Sequence, residues 1–234
     1  MKISLQNVHE SVLLLAGERP EAIFLDIGCC FGNDLRKVVS DGWPANRAVA
    51  FDLHKGFWDY GHELFRSTPE TFPAAFIAGD VFDAETLPPR EPFYVETPPP
   101  DPRPAELARL KSLSPLQGHV TVIHASSFFH LFDENKQLEL ARKVATLLSP
   151  DPGSLIFGAH NGVPVKGYRP DPLNVPGYNQ FCHSPESWRN LWDGQVFRKD
   201  SVRVEAELVE DQRKDLVAPD GVIYYVMKWS VTRI

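Results

Sequence analysis

The stretch Phe24-Leu-Asp-Ile-Gly-Cys-Cys-Phe-Gly32 sets a carboxylate, Asp26, two residues ahead of Gly28 and six ahead of Gly32. An apolar run that ends in such a turn can hold a small ligand. Its glycines allow a tight turn and close backbone approach, amides at the start of a following helix hold an anion, and the acid accepts from a cation. A pyrophosphate-binding turn reads G-x-G-x-x-G with an acid about 20 residues later. Here the spacing is D-x-G-x-C-x-G, with Cys30 where the second glycine would stand. A ligand with both an ammonium and a carboxylate suits this turn better than a dinucleotide, which favours S-adenosylmethionine. On this stretch alone, an ordinary strand-to-helix turn without a ligand stays open.

Two further acids close apolar runs. Asp52 follows Ala48-Val-Ala-Phe51, 24 residues after Gly28, where a carboxylate can accept both hydroxyls of a ribose, with Leu53 beside it. Asp80, in Ala78-Gly-Asp-Val81, can accept from an adenine amine while the Val81 amide donates to a ring nitrogen. The alternatives are a solvated loop acid at Asp52 and a helix cap at Asp80. The string from His124 to Phe132 closes another apolar run and should face the reacting centre.

Transfer of a methyl group from a sulfonium is an in-line displacement that needs alignment and exclusion of water more than a reactive side chain. A carboxylic acid of pKa about 4 is already ionised at neutral pH, whereas a phenol of pKa about 10 needs a base. His130 and His124 are the catalytic candidates. Phe129, His130, His160, Asn161 and Tyr178 are candidates to line an acceptor pocket. Packing in an aromatic cluster competes for His130, a structural hydrogen bond for His124, and a turn for His160 and Asn161. Phe57, Trp58 and Tyr60 could flank the adenosine, and Lys166 or Arg169 could meet an acidic acceptor. Trp188 and Trp192, at helical spacing, read as core.

These residues need a scaffold of alternating strands and helices. The pattern predicts helices over Ser4–Ala16, Asn33–Asp41, Phe57–Phe65 and Glu134–Leu148. It predicts strands over Ala22–Ile27, Arg47–Asp52, Ala74–Ala78, His119–Ala125 and Ser154–Ala159. A helix opened by Ser184-Pro185 precedes two long strands, Val202–Val209 and Val222–Thr232, expected to pair as an antiparallel hairpin. The expected fold is therefore α/β, a Rossmann-like seven-stranded mixed sheet of five parallel strands plus a C-terminal hairpin, with helices on both faces. One domain should span residues 1–234, with a helical cap over 1–20, a proline-rich excursion over 83–117 and a substrate-side loop over 160–183. Eight prolines between Pro88 and Pro104 keep regular structure out of the excursion. A short helix is expected from Pro104 to Leu113.

The formal charge of −7 offers no basic stripe, so nucleic acid is disfavoured and a small-molecule acceptor is expected. No apolar run is long enough for a membrane span, and the first 20 residues do not read as a cleavable signal, so a cytoplasmic location is expected. A homodimer is left open. Cys29, Cys30 and Cys182 lack metal-ligand spacing and read as small packing residues, so no metal is expected.

With these residues together, the chain resembles a class I S-adenosylmethionine-dependent methyltransferase: FLDIGCCFG is similar to the glycine-rich loop, AFDL to the ribose site and AGDVF to the adenine site. The strings HASSFFHLFDENKQ, GSLIFGAHNG and FCHSPESWRNLW resemble fungal natural-product methyltransferases, some of which esterify a carboxylate in meroterpenoid pathways. The resemblance implies donor contacts at Asp26, Gly28, Asp52, Asp80 and Val81, with a backbone contact near His124 and Ala125, and leaves the acceptor open; an O-methylated secondary metabolite is the expected product. N- or C-methylation, or a donor-binding regulator without turnover, are the competing readings.

Overall fold

The structure, a computed structural model, describes residues 3–170, 179–211 and 223–234. Four short apolar strands, β1 (Phe24–Ile27), β2 (Ala48–Asp52), β3 (Ala75–Ala78) and β4 (Val122–His124), lie parallel. The fifth strand, β5 (Leu155–Gly162), continues the parallel set beside β4. Strands β8 (Val202–Glu210) and β9 (Tyr225–Arg233) close the sheet antiparallel, giving the order β3-β2-β1-β4-β5-β9-β8. The expected seven-stranded mixed sheet with a terminal hairpin is what forms.

The central strands are apolar without alternation because both their faces are covered. Helices α1 (His9–Glu18), α2 (Asn33–Ser40) and α3 (Lys55–Leu64) bury Val12, Ala16, Leu35, Val38 and Trp58 on one face. On the other, α4 (Glu134–Leu147) and α5 (Pro185–Trp192) bury Leu140, Val144, Trp188 and Trp192. Asp133 caps α4 by accepting from Lys136 N at 2.9 Å. Ser184 and Ser187 cap α5 reciprocally behind Pro185.

Several expected elements change length or type. A single 3₁₀ turn, Ile3–Leu5, precedes α1 where one helix was expected. The Pro104–Leu113 helix is absent; two 3₁₀ turns, Leu107–Arg109 and Ser114–Leu116, stand there instead. Leu107, Leu113 and Leu116 are each buried in the core beneath them. Anchoring those three at once draws the chain across the sheet edge and overrides a weak helical preference.

Residues 160–183 are not one loop. Strand β5 runs on to Gly162 because β9 offers it partners all the way to Tyr225. Beyond it β6 (Gly167–Pro170) pairs antiparallel with β7 (Asn179–Cys182) as a separate ribbon. Tyr178 and Val222 lie outside the described residues.

His160 therefore sits inside a strand and under α5 rather than in a turn. Trp229 Nε1 donates to its Nδ1 at 2.9 Å, which leaves the ring proton on Nε2. Burial holds His160 well below the usual histidine range, with His130 and His183 adding to the effect. Burial, and secondarily Lys166, brings His183 down to about 4. Between the ordinary histidine pKa of about 6.5 and this depressed value the unfolded chain binds protons that the native chain refuses, so stability falls as pH falls through that window. For His183 the effect reaches about 3 kcal/mol by pH 4. Urea titrations from pH 7 to 4 should show this slope, and His183→Gln should flatten part of it. An equal slope in the variant would refute the assignment.

Candidate active site

The carboxyl ends of β1 to β4 enclose a cavity of about 800 Å³. Its floor is the turn after β1. Gly28 has φ +72°, and a Cβ there would come within 2.6 Å of the Phe128 ring, so only glycine lets loop and ring meet. The amides of Gly28 and Cys29 both donate to Phe51 O, at 2.8 and 3.1 Å, which ties the turn to β2. Cys30 takes φ +51° and its amide donates to Asp52 Oδ2 at 2.9 Å. Cys30 is thus exposed at the cavity and held in a left-handed turn, a correction to its reading as a packing residue.

The other oxygen of Asp52 is also held, accepting from His54 N at 3.0 Å. A carboxylate fixed by one amide on each oxygen still keeps a free lone pair on each. Asp80 is fixed the same way, its Oδ1 accepting from Phe82 N at 2.9 Å. Asp34, at the start of α2, accepts from Ile3 N at 3.0 Å and also lines the cavity. Among the described residues the lining holds no lysine or arginine.

The opposite wall is apolar. Phe82, Phe128 and Phe132 pack edge to face, with ring centroids 5.0 Å apart for Phe82 and Phe132 and 5.6 Å for Phe128 and Phe132. Leu53, Phe57 and Leu131 form an exposed apolar rim, and Leu131 is 56% exposed. Large apolar side chains left in water around a concave mouth mark a site for an apolar partner.

Between the two walls, β4 delivers a polar line. His124 Nδ1 lies 2.8 Å from Asp26 Oδ1, and His124 Nε2 lies 2.7 Å from Ser126 Oγ, which also accepts from Ala159 N at 3.1 Å. Burial pushes the Asp26 carboxyl up, and its partner His124 opposes that shift.

No family model matches the chain. It is 34% identical over 192 residues to the O-methyltransferase phiE of Fungal sp., covering 82% of this chain and 55% of that protein. It is 30% identical over 210 residues to the Asnovolin E/Chermesin D methyltransferase nvfJ of Aspergillus novofumigatus, covering 90% of this chain and 65% of the relative. The chain resembles fungal secondary-metabolite methyltransferases. It spans between about half and two thirds of the lengths of these curated relatives. Among solved structures, the 1,6-didemethyltoxoflavin-N1-methyltransferase of Burkholderia thailandensis, bound to its substrate and S-adenosylhomocysteine, superposes with a TM-score of 0.56. That match covers 97% of this chain and 77% of that one at 13% identity, so it speaks for the fold alone.

Within this methyltransferase fold, the expected donor residues divide. Gly28, Asp52, Leu53, Asp80 and Val81 line the cavity together. Asp26 does not line it: the residue is 3% exposed and its side chain is turned to His124. Gly32 stands outside as well, at the left-handed start of α2, where a Cβ would strike Trp58 at 2.7 Å. Ala125 is fully buried with its amide on Phe157 O at 2.9 Å, so the chain reaches the cavity one residue later, at Ser126. Of the adenosine-flanking aromatics, Phe57 lines the cavity, Trp58 is core and Tyr60 points to solvent.

The acceptor candidates fare differently. Phe129 is fully buried against Trp188 and Trp229 rather than in the pocket. The left-handed Ser127, φ +52°, and the 3₁₀ turn Phe129–Leu131 direct Phe128 and Leu131 to the cavity and Phe129 to the core. His130 lies off the cavity lining, and its Nδ1 accepts from Asn161 N at 3.2 Å. That bond leaves the proton on Nε2, so His130 as placed is a donor and not a base. Asn161 Nδ2 donates to Gln180 Oε1 at 2.7 Å, and His160 is core. Lys166 pairs with Glu134, and Arg169 is buried. Sequence reasoning missed Ser126, Ser127 and Asp34. The serine pair two residues after His124 at the end of an apolar run was the available signal.

Among the described residues, no helix is long and apolar enough to cross a membrane.

Proposed function

We propose that this chain is an S-adenosylmethionine-dependent O-methyltransferase acting on a small, largely apolar secondary metabolite. The observation that carries this reading is Asp52, both of whose oxygens are anchored to backbone amides at the rim of the glycine turn. A rigid carboxylate with one spare lone pair per oxygen suits a vicinal diol. Asp80 and the Val81 amide suit an adenine edge. The described lining residues, acidic and without lysine or arginine, suit a ligand that brings a sulfonium and would repel a pyrophosphate.

Bound there, S-adenosylmethionine supplies an electrophilic methyl group. The residues of the chain bind and orient: Asp52 and Asp80 fix the adenosine, Gly28 gives the backbone close approach, and the Phe82, Phe128 and Phe132 wall orders an apolar acceptor and excludes water. The apolar rim favours turnover of a hydrophobic acceptor over a regulator that only binds the donor. A cytoplasmic location is part of the proposal, in keeping with three free cysteines.

Calorimetric titration with S-adenosylhomocysteine is the test. One-to-one binding is expected, with no measurable heat from a nicotinamide dinucleotide. The reverse preference would overturn the reading.

A further inference from the structure

Asp26, His124 and Ser126 connect the interior of the sheet to the cavity wall. Asp26 is 3% exposed and His124 1%, so the two ring nitrogens meet only the carboxylate behind and the hydroxyl in front. A neutral imidazole that donates from Nδ1 to Asp26 accepts the Ser126 proton at Nε2. Ser126 Oγ already accepts from Ala159 N, which leaves one lone pair for the cavity it lines. Burying a carboxylate and an imidazole is a poor way to gain stability, because apolar residues would fill the same volume at lower cost. The arrangement therefore asks for a chemical use.

The cavity supplies one. An oxygen acid that enters beside Asp34, Asp52 and Asp80, with no lysine or arginine among the described lining residues and an apolar wall, is disfavoured as an anion by desolvation and like charge. It is held with its proton, whether phenol or carboxylic acid, and that proton must leave as the methyl group arrives. We propose that Ser126 is the catalytic contact of the acceptor oxygen, and that His124, positioned by Asp26, takes the proton the acceptor gives up.

The balance is as follows. The acceptor oxygen forms its bond to the methyl carbon while the carbon–sulfur bond of the donor breaks, its electron pair staying on sulfur. The acceptor O–H proton passes to Ser126 Oγ and the Ser126 proton passes to His124 Nε2. The positive charge lost at sulfur reappears on the imidazolium beside Asp26. When the product leaves, the proton returns through Ser126 to water. The charged and titratable neighbours of this line are Asp26 on β1, Asp34 on α2, which acts on Asp26, and Cys29, whose thiol Asp26 pushes up. From β5 only the uncharged Phe157 ring faces the imidazole, at 5.1 Å.

This inference rests on the methyltransferase reading, and the experiment separates the two. The probes are 4-nitrophenol and 4-nitrobenzoic acid. With protein saturated by S-adenosylhomocysteine near pH 6, the wild type should bind 4-nitrophenol in its protonated form, without a phenolate absorption band. With S-adenosylmethionine, Ser126→Ala and His124→Gln should each lower kcat about 100-fold at neutral pH, with KM little changed. The double variant should be no slower than the slower single, Ser126→Thr should recover most of the rate, and the lost rate with 4-nitrophenol should return as pH rises. Affinity for S-adenosylhomocysteine should not move in Ser126→Ala, which also shows that the variant is folded. The proposal is overturned if the wild type binds 4-nitrophenol as the phenolate, if Ser126→Ala keeps the wild-type rate, or if the two single losses multiply. It is equally overturned if the wild type binds the donor product yet neither binds nor methylates either probe. Failure of the wild type to bind S-adenosylhomocysteine overturns the methyltransferase reading itself.

Discussion

Replacing Asp52 by alanine is expected to weaken S-adenosylhomocysteine binding about 100-fold, or about 3 kcal/mol. The loss has two sources. The ribose hydroxyls lose a charged acceptor, and the amides of Cys30 and His54, which Asp52 holds at 2.9 and 3.0 Å, are released, so the glycine turn and the start of α3 lose their common anchor. Asp52→Asn should fall between wild type and alanine, since one of its two positions presents donors where acceptors are needed. Asp59→Ala on the exposed surface of α3, where Asp59 only pairs with Lys55, is the control and should change nothing. Isothermal calorimetry on the four proteins decides; wild-type affinity in Asp52→Ala would remove the ribose assignment.

The second large effect is structural. Trp188→Ala should destabilise the fold by about 3–5 kcal/mol, the range for emptying a fully buried tryptophan site. Trp188 has no solvent exposure, and its ring centre lies 5.1 Å from Phe129, 4.7 Å from His160 and 5.0 Å from Trp229. These partners sit on a 3₁₀ turn and two adjacent strands, so they cannot close the gap together. Urea unfolding measures the loss, and a cost below about 1 kcal/mol would mean that the cluster collapses around the smaller side chain. Affinity for S-adenosylhomocysteine should survive at low temperature, because the cluster backs onto the apolar wall and not onto Asp52.

What could be read from the sequence depended on the range of the interaction that sets each feature. The strands at Phe24, Ala48 and Leu155 were legible because a strand covered on both faces is written as a continuous apolar run. Asp52 and Asp80 were legible because a strand end fixes where an acid goes, and both line the cavity. The partner of Asp26 was not, since His124 is 98 residues away and only adjacency of β1 and β4 brings them together. Which of Phe128 and Phe129 faces the cavity turned on one left-handed residue, Ser127, and nothing in a serine announces positive φ. The length of β5 was set by its neighbour β9, beyond any local window.

The fit of Gly28 under the Phe128 ring has a consequence for inheritance. A side chain gained at position 28 would have to displace that ring, and a ring lost at position 128 would open a hole over the turn. The two positions are therefore expected to change together or not at all, as are Gly32 and Trp58, while Gly61, whose Cβ would come within 2.3 Å of the Phe31 backbone, admits no compensating change. Drift in this lineage should be steered away from the donor turn and toward Leu53, Phe57 and Leu131, whose solvent-facing side chains can be exchanged singly. New side chains can then be explored at the rim while the glycine turn descends unaltered.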